Sequence, residues 1–250
     1  MISKNTIKLV KSLGTKKGRK QERKFVAEGP KVVGDLIRQG YPPFCVMAVR
    51  EWMEANPTIK ANEVTEEELR KLSFLQHPQQ VLALFPIPIS LQAIDAEYAK
   101  TDLCLVLDGI QDPGNLGTIL RIADWFGIHV IYCSEDTADI YNPKVVQATM
   151  GSIARVSVTY TNLEDLFSNV PPNVPIYGTL LDGQDIYTQT LSSHGFIVMG
   201  NEGKGISDNI RPLISKRLLI PSFSTGNGAD SLNVAIATAV VCSEFKRRSR

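Results

Sequence analysis

Cysteine is scarce in this chain, and its spacing does not suit the sites that cysteine usually builds. Four cysteines are scattered over 250 residues, and neither a CxxC pair nor a Cys/His ligand spacing occurs. The pattern predicts reduced, buried thiols in a cytoplasmic protein, without a disulfide framework or a structural metal.

Long hydrophobic runs are also missing. No apolar stretch approaches the roughly 20 residues that cross a bilayer. Residues 1–4 do not open the apolar core of a signal peptide. We expect neither a membrane span nor export, and the predicted location is the cytoplasm.

Two common nucleotide-binding patterns are absent as well. The Walker pattern GxxxxGK[ST], aligned on Gly203 and Lys204, fails because Val198 stands at its first glycine and Gly205 at its hydroxyl position. No GxGxxG follows a predicted strand. A nucleotide-dependent enzyme of ordinary Rossmann type therefore ranks last among the hypotheses.

The net charge of +1 conceals a basic amino-terminal pole. Residues 1–31 hold ten Lys and Arg against two Glu, a net of +8, so the remaining 219 residues carry −7. Such a pole favours a polyanion partner, and the alternative is a solubilising tail. Residues 246–250 add a second, weaker basic end. The candidate nucleic-acid contacts are the basic side chains Lys16, Lys17, Arg19, Lys20, Arg23 and Lys24.

Residues 1–88 predict a small α/β domain. Ile7 and Val10 fit one face of a short basic helix, and the glycines and lysines of 14–20 predict a flexible loop. A capping box opens a further helix at Thr65. Strands are expected at 25–29, 44–49 and 81–85, and another helix at 30–38. Prolines at 86 and 88 disfavour regular structure, and we assign 89–102 to a linker.

Residues 103–250 predict a second α/β domain with a mainly parallel sheet. Its first apolar run, 103–107, is typical of a strand covered on both faces. Strands alternating with helices favour a parallel sheet covered on both faces. The expected strands are 103–107, 128–133, one near 156, 176–181, 196–200 and 217–220. The expected helices are 116–126, 143–150 and 231–246.

Three polar segments follow predicted strands of this second domain. In the first, Asn115 is an N-cap candidate and Arg121 lies further along the same helix. The second, 200–205, holds three glycines. In the third, Asp230 or Ser231 can cap the last helix. Because parallel strands end at one edge of a sheet, ligands are expected there. Taken alone, Asn115 could merely cap its helix and Arg121 merely pair with a surface acid.

Together, the three segments resemble the motifs of the SpoU/TrmH family of RNA ribose 2′-O-methyltransferases, within the SPOUT superfamily. The resemblance covers roughly residues 103–248. Two departures are a longer loop at 222–230 and Ala235, where a serine often stands. The family motifs N-x-G-x-x-x-R, G-x-E-G and I-P with S-L-N-V match, in order, Asn115, Gly117 and Arg121; Gly200, Glu202 and Gly203; and Ile220, Pro221, Ser231, Leu232, Asn233 and Val234.

The resemblance implies a fold, a cofactor and a partner. The fold would be a parallel α/β sheet with a trefoil knot, preceded by an α/β ribosomal-protein-like substrate-binding domain. The cofactor would be S-adenosylmethionine, without a metal, in a homodimer. The cofactor contacts carried over are Thr179, Leu180, Gly200, Asn201, Gly203, Ile220 and Leu232.

The resemblance also implies a chemistry. Arg121 would assist loss of the proton from a ribose 2′-hydroxyl and contact the RNA. Because a guanidinium stays charged, its expected role is to lower the pKa of the hydroxyl or to position a phosphate that accepts the proton. Ribosomal RNA is favoured over transfer RNA because a separate first domain is present. A non-catalytic RNA-binding ribosome-assembly protein remains an alternative. The residues expected to orient Arg121, ribose and cofactor are Asn115, Glu202, Ser231 and Asn233.

Overall fold

The computed structural model describes residues 2–88, 96–224 and 230–248. Contacts divide the chain into two compact units, Met1–Ile89 with Asp139–Arg155, and Ser90–Ala138 with Val156–Arg250. Residues 89–95 of the predicted linker lie outside the described residues, and Ala96–Lys100 forms a 3-10 helix. None of the helices in the described parts of the chain is long and apolar enough to span a membrane.

The first unit is built around a four-stranded mixed sheet. Its strand order is β1-β4-β2-β3, with β2 antiparallel to β4 and parallel to β3. Val10, Leu13 and Leu72 are fully buried in the apolar core under this sheet. In chain order the elements are α1 (Lys4–Ser12), α2 (Lys16–Glu22), β1 (Lys24–Glu28), α3 (Pro30–Arg38), β2 (Cys45–Ala48), α4 (Arg50–Ala55), β3 (Asn62–Glu63), α5 (Glu66–Leu72) and β4 (Val81–Pro86).

The predicted flexible loop at 14–20 is wrong, because α2 occupies most of it. The hydroxyl of Thr15 accepts the backbone N–H of Gly18 at 3.0 Å and caps this helix. A Cβ added at Gly18 would overlap the carbonyl of Ser12 at the end of α1. The glycine therefore permits close packing of two helices and does not mark a loop.

The second unit contains a six-stranded sheet in which every pairing is parallel. Its strand order is β10-β8-β9-β5-β6-β7. The central strand β5 is buried at all six positions, as its continuous apolar run predicted. The helix α7 (Pro143–Ala148) follows β6 in sequence but belongs to the first unit. The elements of the second unit are β5 (Leu103–Asp108), α6 (Pro113–Trp125), β6 (Val130–Cys133), β7 (Ser157–Tyr160), α8 (Leu163–Ser168), β8 (Ile176–Asp185), β9 (Gly195–Gly200), β10 (Lys216–Leu219) and α9 (Val234–Arg248).

Aromatic side chains fill much of one face of the parallel sheet. The ring centre of Phe196 on β9 lies 5.5 Å from that of Phe167 on α8 and 6.0 Å from that of Tyr132 on β6. Such rings bury large apolar areas, and edge-to-face pairs add a small directional preference. The α/β fold class, with a small mixed-sheet unit and a parallel-sheet unit, is confirmed.

The segment Asp139–Arg155 packs with the first unit, although it lies between β6 and β7 in sequence. Its helix α7 packs against β1. The guanidinium of Arg19 pairs with the carboxylate of Asp139 at 2.7 Å and also donates to the carbonyl of Leu13 at 2.8 Å. Nη1 of Arg155 lies 3.5 Å from Oδ2 of Asp35. Paired charges therefore hold this segment within the first unit.

The cysteines follow the predicted pattern in part. Cys104, Cys133 and Cys242 are buried, whereas Cys45 is half-buried. Burial raises the pKa of the Cys242 thiol to about 12. Burial also raises the pKa of the Cys133 thiol. Desolvation disfavours the thiolate, so the thiols of Cys133 and Cys242 are poor nucleophiles.

Candidate active site at the carboxyl edge of the parallel sheet

The three sequence motifs lie at one edge of the sheet in the second unit. The first motif follows β5, the second follows the adjacent strand β9, and the third follows β10 and begins α9. Helices α6 and α9 pack against each other. Parallel pairing of the strands and the contact between α6 and α9 therefore bring the three motifs together.

Helix α6 begins earlier than predicted, and this changes the role of Asn115. The carboxylate of Asp112 accepts the backbone N–H of Asn115 at 2.7 Å and is the N-cap, with Pro113 in the first turn. The prediction that Asn115 caps this helix is wrong. Its side chain is instead free to reach across to the other two motifs.

Asn115 joins the three motifs through two side-chain hydrogen bonds. Its amide nitrogen donates to Oε1 of Glu202 at 2.9 Å, and its amide oxygen accepts from Nδ2 of Asn233 at 2.9 Å. The carboxylate can only accept, so this direction of donation fixes the orientation of both amides. The result is a chain of polar groups in which each member positions the next.

Asn233 has a second role that the sequence pattern did not indicate. Its Oδ1 accepts the backbone N–H of Ala235 at 3.0 Å and of Ile236 at 3.3 Å, at the start of α9. The predicted caps Asp230 and Ser231 are therefore wrong, because the helix begins at Val234. Ser231 is exposed and takes no part in the chain of polar groups among the described residues.

The second motif forms a tight loop after β9. Backbone hydrogen bonds pair Asn201 with Gly205 in both directions, at 3.0 and 2.9 Å. Oδ1 of Asn201 accepts the N–H groups of Gly203 and Lys204, while Nδ2 donates to the carbonyl of Gly109 at 2.6 Å. A Cβ added at Gly200 would overlap the backbone of Gly205. Asn201 is therefore an organiser of the loop, and only glycine fits at its start.

Asp108 anchors the far side of this loop and was not among the predicted site residues. Its carboxylate accepts both the backbone N–H and the hydroxyl of Ser207, each at 2.7 Å. The sequence held one signal for this role, which is an acidic residue at the end of an otherwise apolar strand. Such a carboxylate must find hydrogen-bond donors when it is buried.

An irregularity of β8 opens the same edge of the sheet. Arg217 of β10 pairs with Gly178, but the next residue, Leu218, pairs with Gln184. Residues 179–183 thus leave the pairing. Within them the hydroxyl of Thr179 donates to the carbonyl of Val198 at 3.2 Å, and Leu180 is buried. Thr179 and Leu180, predicted as cofactor contacts, therefore lie beside the end of β9.

The other predicted cofactor contacts border this opening. Ile220 follows β10 and is half-buried, and Leu232 precedes α9 with 51% of its surface exposed. Gly203 lies in the exposed loop after β9. Residues 225–229 of the predicted long loop lie outside the described residues, so that part of the prediction stays untested.

Arg121 lies on the exposed face of α6. Among residues 2–88, 96–224 and 230–248 it has no hydrogen-bond or ion-pair partner. The alternative that it merely pairs with a surface acid therefore finds no support in the described structure. A guanidinium that is not paired within its own fold can bind an anionic group of a ligand.

Four of the six basic contacts predicted in the first unit are exposed. Lys16, Lys17, Lys20 and Arg23 lie on the surface of α2 and its end. Lys24 is half-buried, and its ammonium lies 4.3 Å from the ring centre of Phe44. Arg19 is only 3% exposed and is paired with Asp139. The prediction that Arg19 contacts RNA is wrong, because its guanidinium is used within the first unit.

Acidic, cysteine and histidine side chains do not cluster as metal ligands in the parts of the chain that the structure describes. The site is therefore built from amide, carboxylate and guanidinium groups and from backbone at strand ends.

Comparisons with known protein families match both units. The SpoU rRNA Methylase family matches residues 102–243, which is more than half of the chain. The MRM3-like substrate binding domain matches residues 4–83.

Characterised relatives span nearly the whole chain. A 23S rRNA (guanosine-2′-O-)-methyltransferase, RlmB, of Neisseria meningitidis is 30% identical over 88% of this chain and 90% of its own length. The 23S rRNA (guanosine(2553)-2′-O)-methyltransferase RlmP of Bacillus subtilis is 28% identical over 92% of each chain.

Solved structures agree over the full length. A Porphyromonas gingivalis protein assigned to the TrmH family of RNA methyltransferases is 39% identical, with a TM-score of 0.87 over 99% of each chain. An AdoMet-bound rRNA methyltransferase from Sinorhizobium meliloti is 29% identical, with a TM-score of 0.86 over 99% of this chain and 96% of that chain.

Proposed function

The chain belongs to the SpoU rRNA methylase family, and from this we propose that it methylates a ribose 2′-hydroxyl of ribosomal RNA with S-adenosylmethionine. It is an RNA 2′-O-ribose methyltransferase of the SpoU type. The observation that carries the proposal is the hydrogen-bonded chain from Glu202 through Asn115 to Asn233. Arg121 lies further along the helix that carries Asn115.

The residues at the sheet edge fit S-adenosylmethionine. The break in pairing after Gly178 and the tight turn at Gly200 leave backbone groups at the ends of adjacent strands. Aliphatic side chains of Leu180, Ile220 and Leu232 lie on the segments that border them. Backbone polar groups and aliphatic surface suit an adenine ring with its ribose. These residues would hold the cofactor.

When bound, the cofactor supplies an electrophilic methyl group on a sulfonium. The protein must align a ribose hydroxyl with that methyl group and assist loss of the hydroxyl proton. Alignment alone can account for several kcal/mol, roughly 7–11 in favourable cases. Arg121 carries the charge that stabilises a developing alkoxide or holds a phosphate that accepts the proton. Asn115, Glu202 and Asn233 orient the groups around it, and Ser231 stays a predicted member of this set.

The test is methyl transfer from labelled S-adenosylmethionine to separate ribosomal and transfer RNA pools, followed by mapping of the modified ribose. We expect label in ribosomal RNA. Label only in transfer RNA would contradict the substrate assignment. A protein that binds RNA but shows no cofactor binding at millimolar concentration would support the non-catalytic ribosome-assembly alternative.

Ribosomal RNA is favoured by the characterised relatives and by the first unit. The relatives from Neisseria meningitidis and Bacillus subtilis are 23S rRNA methyltransferases. The first unit matches a substrate-binding domain and carries exposed basic residues on α2. We propose that Lys16, Lys17, Lys20 and Arg23 contact phosphates, with Lys24 beside them.

The proposal includes a homodimer, a trefoil knot and a cytoplasmic location. Two aliphatic side chains at the start of α9 support the dimer, since Leu232 and Ile236 are 51% and 54% exposed. Sedimentation equilibrium tests it, and a monomer at micromolar concentration would contradict it. The knot is what the resemblance of the three motifs to the SpoU/TrmH family implies.

A further inference from the structure

One of the two tryptophans of this protein is almost fully exposed. Trp52 is 3% exposed, whereas Trp125, the last residue of α6, is 85% exposed. Indole carries one of the largest apolar surfaces among side chains and is normally buried to a large extent. Its exposure in the catalytic unit therefore suggests a ligand that covers it.

Trp125 lies on the same face of α6 as Arg121. The exposed positions of this helix are Gly114, Thr118, Arg121 and Trp125, a spacing of four, three and four residues that defines one stripe. The opposite face, which includes Leu116 and Leu120, is buried.

The spacing of four residues places the two groups on neighbouring turns of α6. Side chains four residues apart on a helix have Cβ atoms about 5–6 Å apart. Arg121 and Trp125 are therefore close enough to contact the same nucleotide.

We propose that Trp125 is an RNA-binding residue whose indole stacks on an unpaired nucleobase next to the ribose that Arg121 engages. This inference rests on the proposed methyltransferase function and adds a contact for the base. Sequence-specific enzymes on RNA commonly act on unstacked bases in loops, which aromatic rings can receive. Stacking tolerates any base, so this contact positions the nucleotide without selecting it.

The composition of the stripe favours RNA over a second copy of the chain. Trp125 is accompanied on it by Arg121, whose guanidinium has no partner among the described residues, and by the hydroxyl of Thr118. A protein surface that covered this stripe would have to desolvate that charge, whereas RNA supplies phosphates. The aliphatic side chains that suit a second copy, Leu232 and Ile236, lie instead at the start of α9.

Three substitutions of Trp125 separate stacking from simple apolar packing. We expect Trp125→Ala to raise the KM for RNA by about ten-fold and to leave the KM for S-adenosylmethionine unchanged. Trp125→Phe retains an aromatic face and should stay within about three-fold of wild type. Trp125→Leu retains apolar bulk without that face and should behave like alanine. Equal KM values for the Phe and Leu variants would overturn the proposal.

Tryptophan fluorescence tests the contact without catalysis. Trp52 is the other of the two tryptophans and is present in both proteins, so the difference in emission between wild type and Trp125→Phe isolates the emission of Trp125. Because Trp52 is 3% exposed, iodide should reach it poorly. We expect iodide to quench the Trp125 emission in the free protein. A single-stranded ribosomal RNA fragment, with binding confirmed by anisotropy of a labelled copy, should quench the emission itself and block iodide.

Two fluorescence outcomes would overturn the inference. The first is unchanged Trp125 emission in a complex whose formation is confirmed by anisotropy. The second is quenching of Trp125 by iodide that occurs at low protein concentration and disappears at high concentration. That result would mean that a second copy of the chain covers Trp125. Absence of methyl transfer with intact Trp125 quenching would instead contradict the proposed function, so the two failures are distinguishable.

Discussion

The side-chain amide of Asn115 donates to the carboxylate of Glu202 at 2.9 Å, although 87 positions separate them in sequence. Neither residue caps a helix, so this bond is not a by-product of local structure. Asn115 also accepts from Asn233. One amide therefore links the first, second and third motifs, and its loss should affect function more than stability.

We expect Asn115→Asp to lower methyl transfer by about 100-fold, because it places a second carboxylate against Glu202 and misaligns the site. The cap of α6 is Asp112 and stays in place, so the urea midpoint should change little. Activity is measured by label incorporation into RNA.

The matched control is Asp112→Ala, three residues away. It removes the cap and should lower the unfolding free energy by about 1 kcal/mol, with a much smaller loss of activity. A larger loss of activity from the cap than from Asn115 would contradict the assigned roles.

Asn233 allows its two functions to be separated. In Asn233→Asp, Oδ1 still accepts the N–H groups of Ala235 and Ile236, whereas the donation to Asn115 is lost. We expect this variant to keep its stability and lose activity. Asn233→Ala should lose activity and also about 1 kcal/mol of unfolding free energy. Thermal unfolding and initial rates measure the two effects, and equal stability of both variants would argue against the cap.

The pattern of strands and helices was largely predictable because buried parallel strands are continuous apolar runs. The run at 103–107 becomes β5, and 30–38 is the observed range of α3. Helix boundaries were harder, since two polar residues near a helix start compete for the cap. Asp112 caps α6 in place of Asn115, and Asn233 caps α9 in place of Ser231. The side chain of Asn115 bonds instead to Glu202 and Asn233, which are far away in sequence.

Other features were not predictable because they depend on tertiary contacts. Arg19 looks like its exposed basic neighbours in sequence, and only Asp139, 120 positions away, shows that it is buried in an ion pair. The break in β8 pairing at Gly178 depends on β10. The three motifs lie together at one edge of the sheet, as predicted, but the hydrogen bonds that connect them follow from the strand order.

Arg121→Ala should reduce methyl transfer by at least about 100-fold, the scale for removing one preorganised charge or donor. Because Arg121 has no partner among the described residues, stability should be unchanged and cofactor affinity should stay within a few-fold of wild type. Arg121→Lys keeps the charge but loses the planar fork, so partial recovery is expected. Turnover unchanged in the alanine variant would remove Arg121 from the mechanism.

Replacing Lys16, Lys17 and Lys20 together by alanine should weaken RNA binding and flatten its salt dependence. Removing one phosphate-binding lysine reduces the slope of log K against log salt by roughly 0.7–0.9. Filter binding at several salt concentrations measures this slope. An unchanged slope would mean that the basic helix is only a solubilising surface.

Arg19→Met, on the same helix, is the contrasting variant. It leaves Asp139 without its partner and should lower the unfolding free energy by about 3 kcal/mol. When RNA binding is measured on the folded protein, the slope of log K against log salt should be unchanged.

Stability at acid pH should depend on Glu244, which ties the end of α9 together. Its carboxylate accepts from Arg247 at 2.8 Å and from Arg248 at 2.6 Å. The hydrogen bond from Arg247, with that from Arg248, lowers the pKa of Glu244 from its ordinary 4.5 to about 2. A lowered pKa means that the folded state holds the ionised form more tightly than the unfolded state does.

The stabilisation is therefore complete above about pH 4.5 and is lost as the pH falls through about 2. We expect Glu244→Gln to cost about 1.5 kcal/mol near pH 6 and progressively less toward pH 2. The control is Glu66→Gln, because Glu66 pairs with Arg70 at 3.3 Å on an exposed face, where such pairs contribute little. In urea unfolding at pH values from 6 to 2, the difference in unfolding free energy between wild type and Glu244→Gln should shrink as the pH falls, and that for Glu66→Gln should stay small throughout. A difference that does not change with pH for either variant would refute the assignment.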